Sequence, residues 1–160
     1  MSGGAPSHGA VGMRPATEGD FDFLYALHVA TMKEYVDQTW GWNDAFQEMR
    51  FRETFDPEDT RIITLDGRDI GMIATQERDA DLFLALIEIE PEHQRQGIGA
   101  TLIKEIIAAG IRMKKPVFLH VLRANPARSL YERLGFSVVA ETPTHLHMRT
   151  TLPEHGTQNG

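Results

Sequence analysis

The segment Leu82–Ile103 changes character three times along its length, and those changes limit what the rest of the chain can become. Leu82 to Ile89 is a nearly continuous apolar run, the pattern of a buried strand. Pro91 stops it, a polar turn carries Gly97 and Gly99, and an amphipathic run then resumes at helical spacing. The reading is a strand, a glycine loop and a helix.

A loop of this kind suits an anion. Gly97 and Gly99 lack Cβ and let a ligand come close to the backbone. The first amides of the following helix have no partner within it and lie at the positive end of its dipole. Two familiar phosphate loops are excluded by residue identity. The dinucleotide fingerprint needs glycine where Leu102 stands, and no Gly-Lys-Ser/Thr triplet follows Gly99.

Gln94-Arg95-Gln96-Gly97-Ile98-Gly99 instead fits the pattern Gln/Arg-x-x-Gly-x-Gly/Ala. Downstream stands a second block, Asn125-Pro126-Ala127-Arg128-Ser129-Leu130-Tyr131-Glu132-Arg133-Leu134-Gly135-Phe136. In that order and at that distance the two blocks resemble the acyl-CoA pyrophosphate loop and the late motif of the GCN5-related N-acetyltransferase (GNAT) superfamily. The resemblance covers about residues 11 to 150 and is weakest in the first helices.

Length and composition agree with one ordinary domain. A chain of 160 residues with 41% hydrophobic and 24% charged residues has enough apolar surface for a core. Residues 1–10 read as a disordered leader, 11–150 as the domain and 151–160 as a flexible tail. The absence of cysteine removes disulfides, thiolate metal sites and a cysteine nucleophile. No secretory leader or membrane-length apolar run is visible, so a cytoplasmic protein without a membrane partner is expected. A net charge of −7 argues against nucleic-acid binding through phosphates.

Periodicity places a short strand at Val11 to Arg14, a helix from Phe21 to about Val36 with Thr17 as N-cap, and a second helix from Asp44 to Phe55. Strands Thr60 to Leu65 and Ile70 to Gln76 flank the turn Asp66-Gly67-Arg68-Asp69. After the central strand and its helix, which runs to about Met113, come a strand at Val117 to Leu122, a helix at Ala127 to Leu134, Gly135 as its cap, and strands at Phe136 to Ala140 and Thr144 to Arg149. The order β-α-α-β-β-β-α-β-α-β-β makes the fold class mixed α/β (α+β). The resemblance implies a GNAT fold: a mixed, mostly antiparallel central sheet flanked by helices, with a V-shaped splay between the central strand and Val117–Leu122.

The resemblance also implies a reaction, transfer of an acetyl group from acetyl-CoA to a primary amine by direct attack. It implies that the backbone at Ile87 and Ile89 pairs with pantetheine, while the segment Gln94, Arg95, Gln96, Gly97, Ile98, Gly99 and Ala100 holds the pyrophosphate. It implies that Tyr131 protonates the departing thiolate, the alternative being that this tyrosine packs the core beneath the short helix. Asn125 reads either as a turn or N-cap residue or as a further cofactor contact, and Arg128 either as a phosphate ligand or as an exposed helix arginine.

The general base is open among Glu88, His120 and water. Glu88 is a charge within an apolar strand, costly unless it is paired or faces a cleft, and His120 is similarly placed in the partner strand. The base found earlier on this strand in histone-type relatives has no counterpart in Leu82-Phe83-Leu84-Ala85. His28, Tyr35, Trp40 and Trp42 stand where the fold usually walls the acceptor site. Eight acidic against three basic residues between Lys33 and Asp59 give that region a charge of −5, suited to a cationic small-molecule or peptide amine. The alternative is that the tryptophans pack the helix junction and the charges are a solvated face. His145-x-His147, with His120, lacks the carboxylates and spacing of a metal site, so no metal is expected. Two rivals remain, a non-catalytic acyl-CoA sensor and a nucleotide-binding regulator, and a homodimer is left open.

Overall fold

The computed structural model of the chain describes residues 9–153, so most of the expected leader and tail lies outside the described residues. The strands are β1 Val11–Pro15, β2 Thr60–Leu65, β3 Arg68–Glu77, β4 Leu82–Ile89, β5 Val117–Leu122, β6 Phe136–Glu141 and β7 His145–Thr150. The helices are α1 Phe21–Trp40, α2 Asp44–Thr54, α3 Ile98–Met113 and α4 Arg128–Arg133. The seven strands form one sheet in the order β1-β2-β3-β4-β5-β7-β6. The β1–β2, β2–β3, β5–β7 and β6–β7 pairs are antiparallel. β4 and β5 run parallel, in register at Leu82↔Val117 and Phe83↔Phe118, a short pairing in keeping with the expected splay.

The chain divides into two compact units, the first holding the chain up to Thr75 with Ala85–Gly99, the second Gln76–Leu84 with the chain from Ala100 onward. In the first unit, Ala16, Phe21, Leu24, Leu27, Phe51, Ile62 and Met72 are buried together. Leu24 and Leu27 lie one turn apart on α1, which puts both on its inward face. Thr17 caps a 3₁₀ turn at Glu18–Asp20 that leads into α1, whose own N-cap is Asp20 and not Thr17; the Asp20 carboxylate accepts from the Thr17 backbone N–H at 2.8 Å and from its hydroxyl at 3.2 Å. Arg14 then reaches Asp20 at 2.9 Å and Asp69 at 2.8 Å, which ties β1, the helix start and β3 together. That guanidinium holds the Asp20 carboxyl down at about 2.

In the second unit the core comes from alternate residues of β5 and β7. Val117, Leu119 and Val121 are buried, as are Leu146 and Met148, and the buried Thr150 hydroxyl accepts from the Val117 N–H at 2.9 Å. Gly110 admits a close approach of α3 to the following loop, since a Cβ there would stand 2.6 Å from the Lys115 carbonyl oxygen.

Several boundaries differ by a residue or more from the sequence reading, and three of them have a local cause. α1 continues past Val36 to Trp40, because nothing before Gly41 breaks it; Gly41, at φ 84°, donates its N–H to the Asp37 carbonyl and closes the helix. The β2–β3 turn is two residues, with Asp66 and Gly67 at φ 52° and 81°, so β3 starts at Arg68. Gly135, at φ 105°, lies one residue beyond Leu134, which is the actual cap of α4.

Candidate functional site

The glycine loop lies wholly in the first unit. A 3₁₀ turn at Pro91–His93 ends β4, and α3 begins at Ile98. Between them Arg95 adopts φ 63° and Gly97 φ 84°. Left-handed geometry is uncommon for arginine and is retained where the surroundings impose it. Alternation of left- and right-handed residues turns successive N–H groups toward one side, the concave arrangement that cradles anions. The loop is braced from beneath: Gln94 donates through Nε2 to the Ile89 carbonyl at 2.9 Å, and Gln96 to that of Glu92 at 3.3 Å. Nothing lies within 4 Å of where a Gly97 Cβ would be. Gly97 is therefore required by its φ and not by crowding from the protein.

Glu88 sits on β4 just before this loop, with its side chain only 2% exposed. Gly71 of β3 lets the two strands approach, since a Cβ there would stand 2.5 Å from the Glu88 carbonyl oxygen. The Glu88 Oε2 atom lies 2.8 Å from Nδ1 of His28 on α1. Its other oxygen, Oε1, is buried and has no hydrogen-bond partner among the described residues. The expectation of a partner for a charge in this strand rests on desolvation cost, but the partner's identity, sixty residues away, was not readable from the sequence.

His28 stacks on Phe51 with ring centres 5.0 Å apart and has Trp42 at 6.4 Å. Trp42 donates its indole N–H to Asp44 and its backbone N–H to Asp37, and Lys33 Nζ lies 5.9 Å from its ring centre. Tyr25, missed in the sequence reading, packs on Phe51 and reaches the Asp44 carbonyl; burial, then Asp44 and Glu48, push its phenol upward. Trp40 is 58% exposed near the end of α1, and Tyr35 is partly buried one turn earlier.

In the second unit, Tyr131 of α4 is buried edge-on against Phe136, with ring centres 5.8 Å apart. The Asn125 side chain accepts from the Ala127 N–H at 2.9 Å, a turn contact and not the N-cap of α4. Arg128 pairs with Glu132 at 3.1 Å on the helix surface. His120 is exposed, stacked on His147 at 4.1 Å in direct cross-strand register, with Phe118 and Phe83 at its edges. Desolvation by these neighbours, followed by His147, His145 and Arg78, pushes its imidazole below the usual range.

Ligand atoms of Glu90, Glu92 and His93 lie within 4.8 Å of one another. The Arg68 guanidinium lies 3.0 Å from His93 Nε2. Among the described residues no helix is long and apolar enough to cross a membrane.

A family model described as an acetyltransferase (GNAT) domain matches residues 57–138, just over half of the chain. The fold is similar to that of the PaiA N-acetyltransferase from Thermoplasma acidophilum in complex with coenzyme A, with a TM-score of 0.72, 19% identity and coverage of 89% of this chain and 99% of that one. It is also similar to the ribosomal-protein-S18-alanine N-acetyltransferase from Escherichia coli, with a TM-score of 0.67, 20% identity and coverage of 92% and 97%. At these identities the likeness establishes the fold. The matched residues include the glycine loop, Glu88 and Tyr131 but not His28.

Proposed function

Because the chain belongs to the GNAT acetyltransferase family, we propose that it is a cytoplasmic N-acetyltransferase, passing the acetyl group of acetyl-CoA to a primary amine by direct attack in a ternary complex. The observation that carries this reading is the loop conformation, Arg95 at φ 63° and Gly97 at φ 84° leading directly into α3. Backbone amides from Arg95 to Ala100 hold the pyrophosphate, with the Arg95 side chain as a charge-assisted partner. Ile87 and Ile89 offer backbone groups to pantetheine, and Asn125 and Arg128 add contacts to the cofactor. The Thermoplasma acidophilum relative, solved with coenzyme A, supports the choice of co-substrate.

Acyl transfer needs a neutral amine, a stabilised oxyanion and a proton for the thiolate. Tyr131 supplies that proton: a phenol of pKa about 10 is protonated at neutral pH and donates to a thiolate whose conjugate acid lies near 8.5. The base function falls to the Glu88 carboxylate together with the imidazole it holds, with His120 as the second candidate. Tyr35, Trp40 and Trp42, in a segment of net charge −5, favour a cationic small-molecule or peptide amine.

The test is thermal unfolding with acetyl-CoA, and with ATP and NAD as controls. At about a hundred times its dissociation constant a ligand adds roughly 2.7 kcal/mol and raises the midpoint by several degrees. A rise with acetyl-CoA alone is expected. No rise at saturating acetyl-CoA removes the reading.

A further inference from the structure

We infer that His28, and not Glu88, is the group that touches the acceptor and takes its proton, with Glu88 as the residue that positions it; the inference rests on the transferase reading above. Accessibility decides between the two. The Glu88 side chain is 2% exposed and the His28 side chain 17%. The imidazole keeps part of its surface open to solvent, whereas Glu88 Oε1 is sealed from it. Orientation agrees. Glu88 Oε2 at 2.8 Å from Nδ1 draws the imidazole proton to that nitrogen and leaves the lone pair on Nε2, the tautomer a base needs. Phe51 stacked at 5.0 Å fixes the ring plane, and Trp42 at 6.4 Å supplies a π surface beside it for a cationic amine.

The proton count closes. The acceptor arrives as R–NH₃⁺ and gives one proton to His28 Nε2, which becomes imidazolium beside the Glu88 carboxylate. The freed amine attacks the thioester carbonyl, the C–N bond forms and the C–S bond breaks. The attacking nitrogen loses its second proton, the thiolate leaves as CoASH, and the His28 proton returns to solvent.

Glu88 is the charged group in contact with His28. Asp44 and Lys33 meet Trp42, one ring away, and Arg52 lies on the Phe21 ring at 4.0 Å.

The experiment compares wild type with His28→Gln and Glu88→Gln. It uses acetyl-CoA with putrescine, phenethylamine and an alanine-initiated peptide as acceptors, with acetyl-CoA thermal shifts measured alongside. Gln at position 28 keeps an N–H for the buried carboxylate, so the fold is retained. We expect a fall in kcat of about a hundredfold to a thousandfold with the acetyl-CoA shift intact. In Glu88→Gln the carboxylate that holds Nδ1 becomes an amide, and the share of neutral His28 carrying its proton on Nδ1 falls. NMR of neutral His28 in wild type shows the Nδ1–H tautomer. Turnover within threefold of wild type in His28→Gln, a tautomer unchanged by Glu88→Gln, or the Nε2–H tautomer in wild type overturns the role of His28 alone. Wild type that shifts with acetyl-CoA yet acetylates none of these amines, or that does not shift at all, overturns the transferase reading and this inference with it.

Discussion

Two of the histidine pairs among the described residues differ physically. His28 and Glu88 face each other in the first unit, with a carboxylate only 2% exposed and one of its oxygens unpartnered among the described residues. His120 and His147 stack in the second unit on an exposed strand face, among Phe83 and Phe118. Both histidines, His28 and His120, come with aromatic neighbours, so ring contacts do not separate them. What separates them is the cost of removing the partner. Desolvation makes an isolated buried charge expensive, whereas water compensates an exposed imidazole.

The sharpest way to break the comparison is His28→Ala. It leaves the Glu88 carboxylate buried without its cation-capable partner, and about 3–5 kcal/mol of stability should be lost. His120→Ala, on a solvated face, should change stability by about 0.5 kcal/mol or less. Urea midpoints of the two variants at equal m-values read the difference directly. If they match, the Glu88 site is not the desolvated one described.

Gly71→Ala probes the same burial from the neighbouring strand. A Cβ 2.5 Å from the Glu88 carbonyl oxygen must push β4 away from β3, and overpacking of this kind costs about 1–3 kcal/mol. The same urea series measures it, and a neutral outcome would mean that the strands yield freely. In the second unit the corresponding change is Tyr131→Phe, which keeps the buried ring against Phe136 and removes only the hydroxyl. Turnover should fall about tenfold to a hundredfold, equivalent to about 1.4–2.7 kcal/mol in the barrier, with the acetyl-CoA thermal shift retained. Unchanged kinetics would leave Tyr131 as packing alone.

The sequence made the element order legible because its strands and helices differ in period and its breaks fall at Asp66-Gly67, Pro91 and Gly135. It misplaced the end of α1 because Tyr35 to Trp40 carries no breaker, and a helix continues until something stops it. The glycine loop was legible for a local reason: Gly97 must adopt φ 84° within its own turn. The His28–Glu88 contact was not, since it depends on how α1 lies against β4 in three dimensions. A charge within an apolar strand signals that some partner exists, and nothing in a single sequence says which of seven histidines it is.

The smallest effect concerns acid. His120 and His145 are both pushed below the ordinary histidine value of 6.5, each by desolvation first and by His147 next. A histidine with a lowered folded-state pKa binds fewer protons folded than unfolded as pH falls through 6.5, so it favours unfolding there and has no effect well above 6.5. Asp20, held at about 2 against 3.8 by Arg14, acts in a different window: its contribution is present above 3.8 and disappears as pH falls toward 2. The histidine window opens below 6.5 and the aspartate window below 3.8, so one titration sees the onset of each. His147→Gln removes the imidazole that repels charge on both neighbours, so the stability lost as pH falls below 6.5 should shrink while the loss due to Asp20 below 3.8 stays. Solvent screening on this exposed face keeps the change well under about 1 kcal/mol. Thermal midpoints at half-unit pH steps would resolve it, and an unchanged slope just below pH 6.5 would show that water already screens the stacked imidazoles from one another.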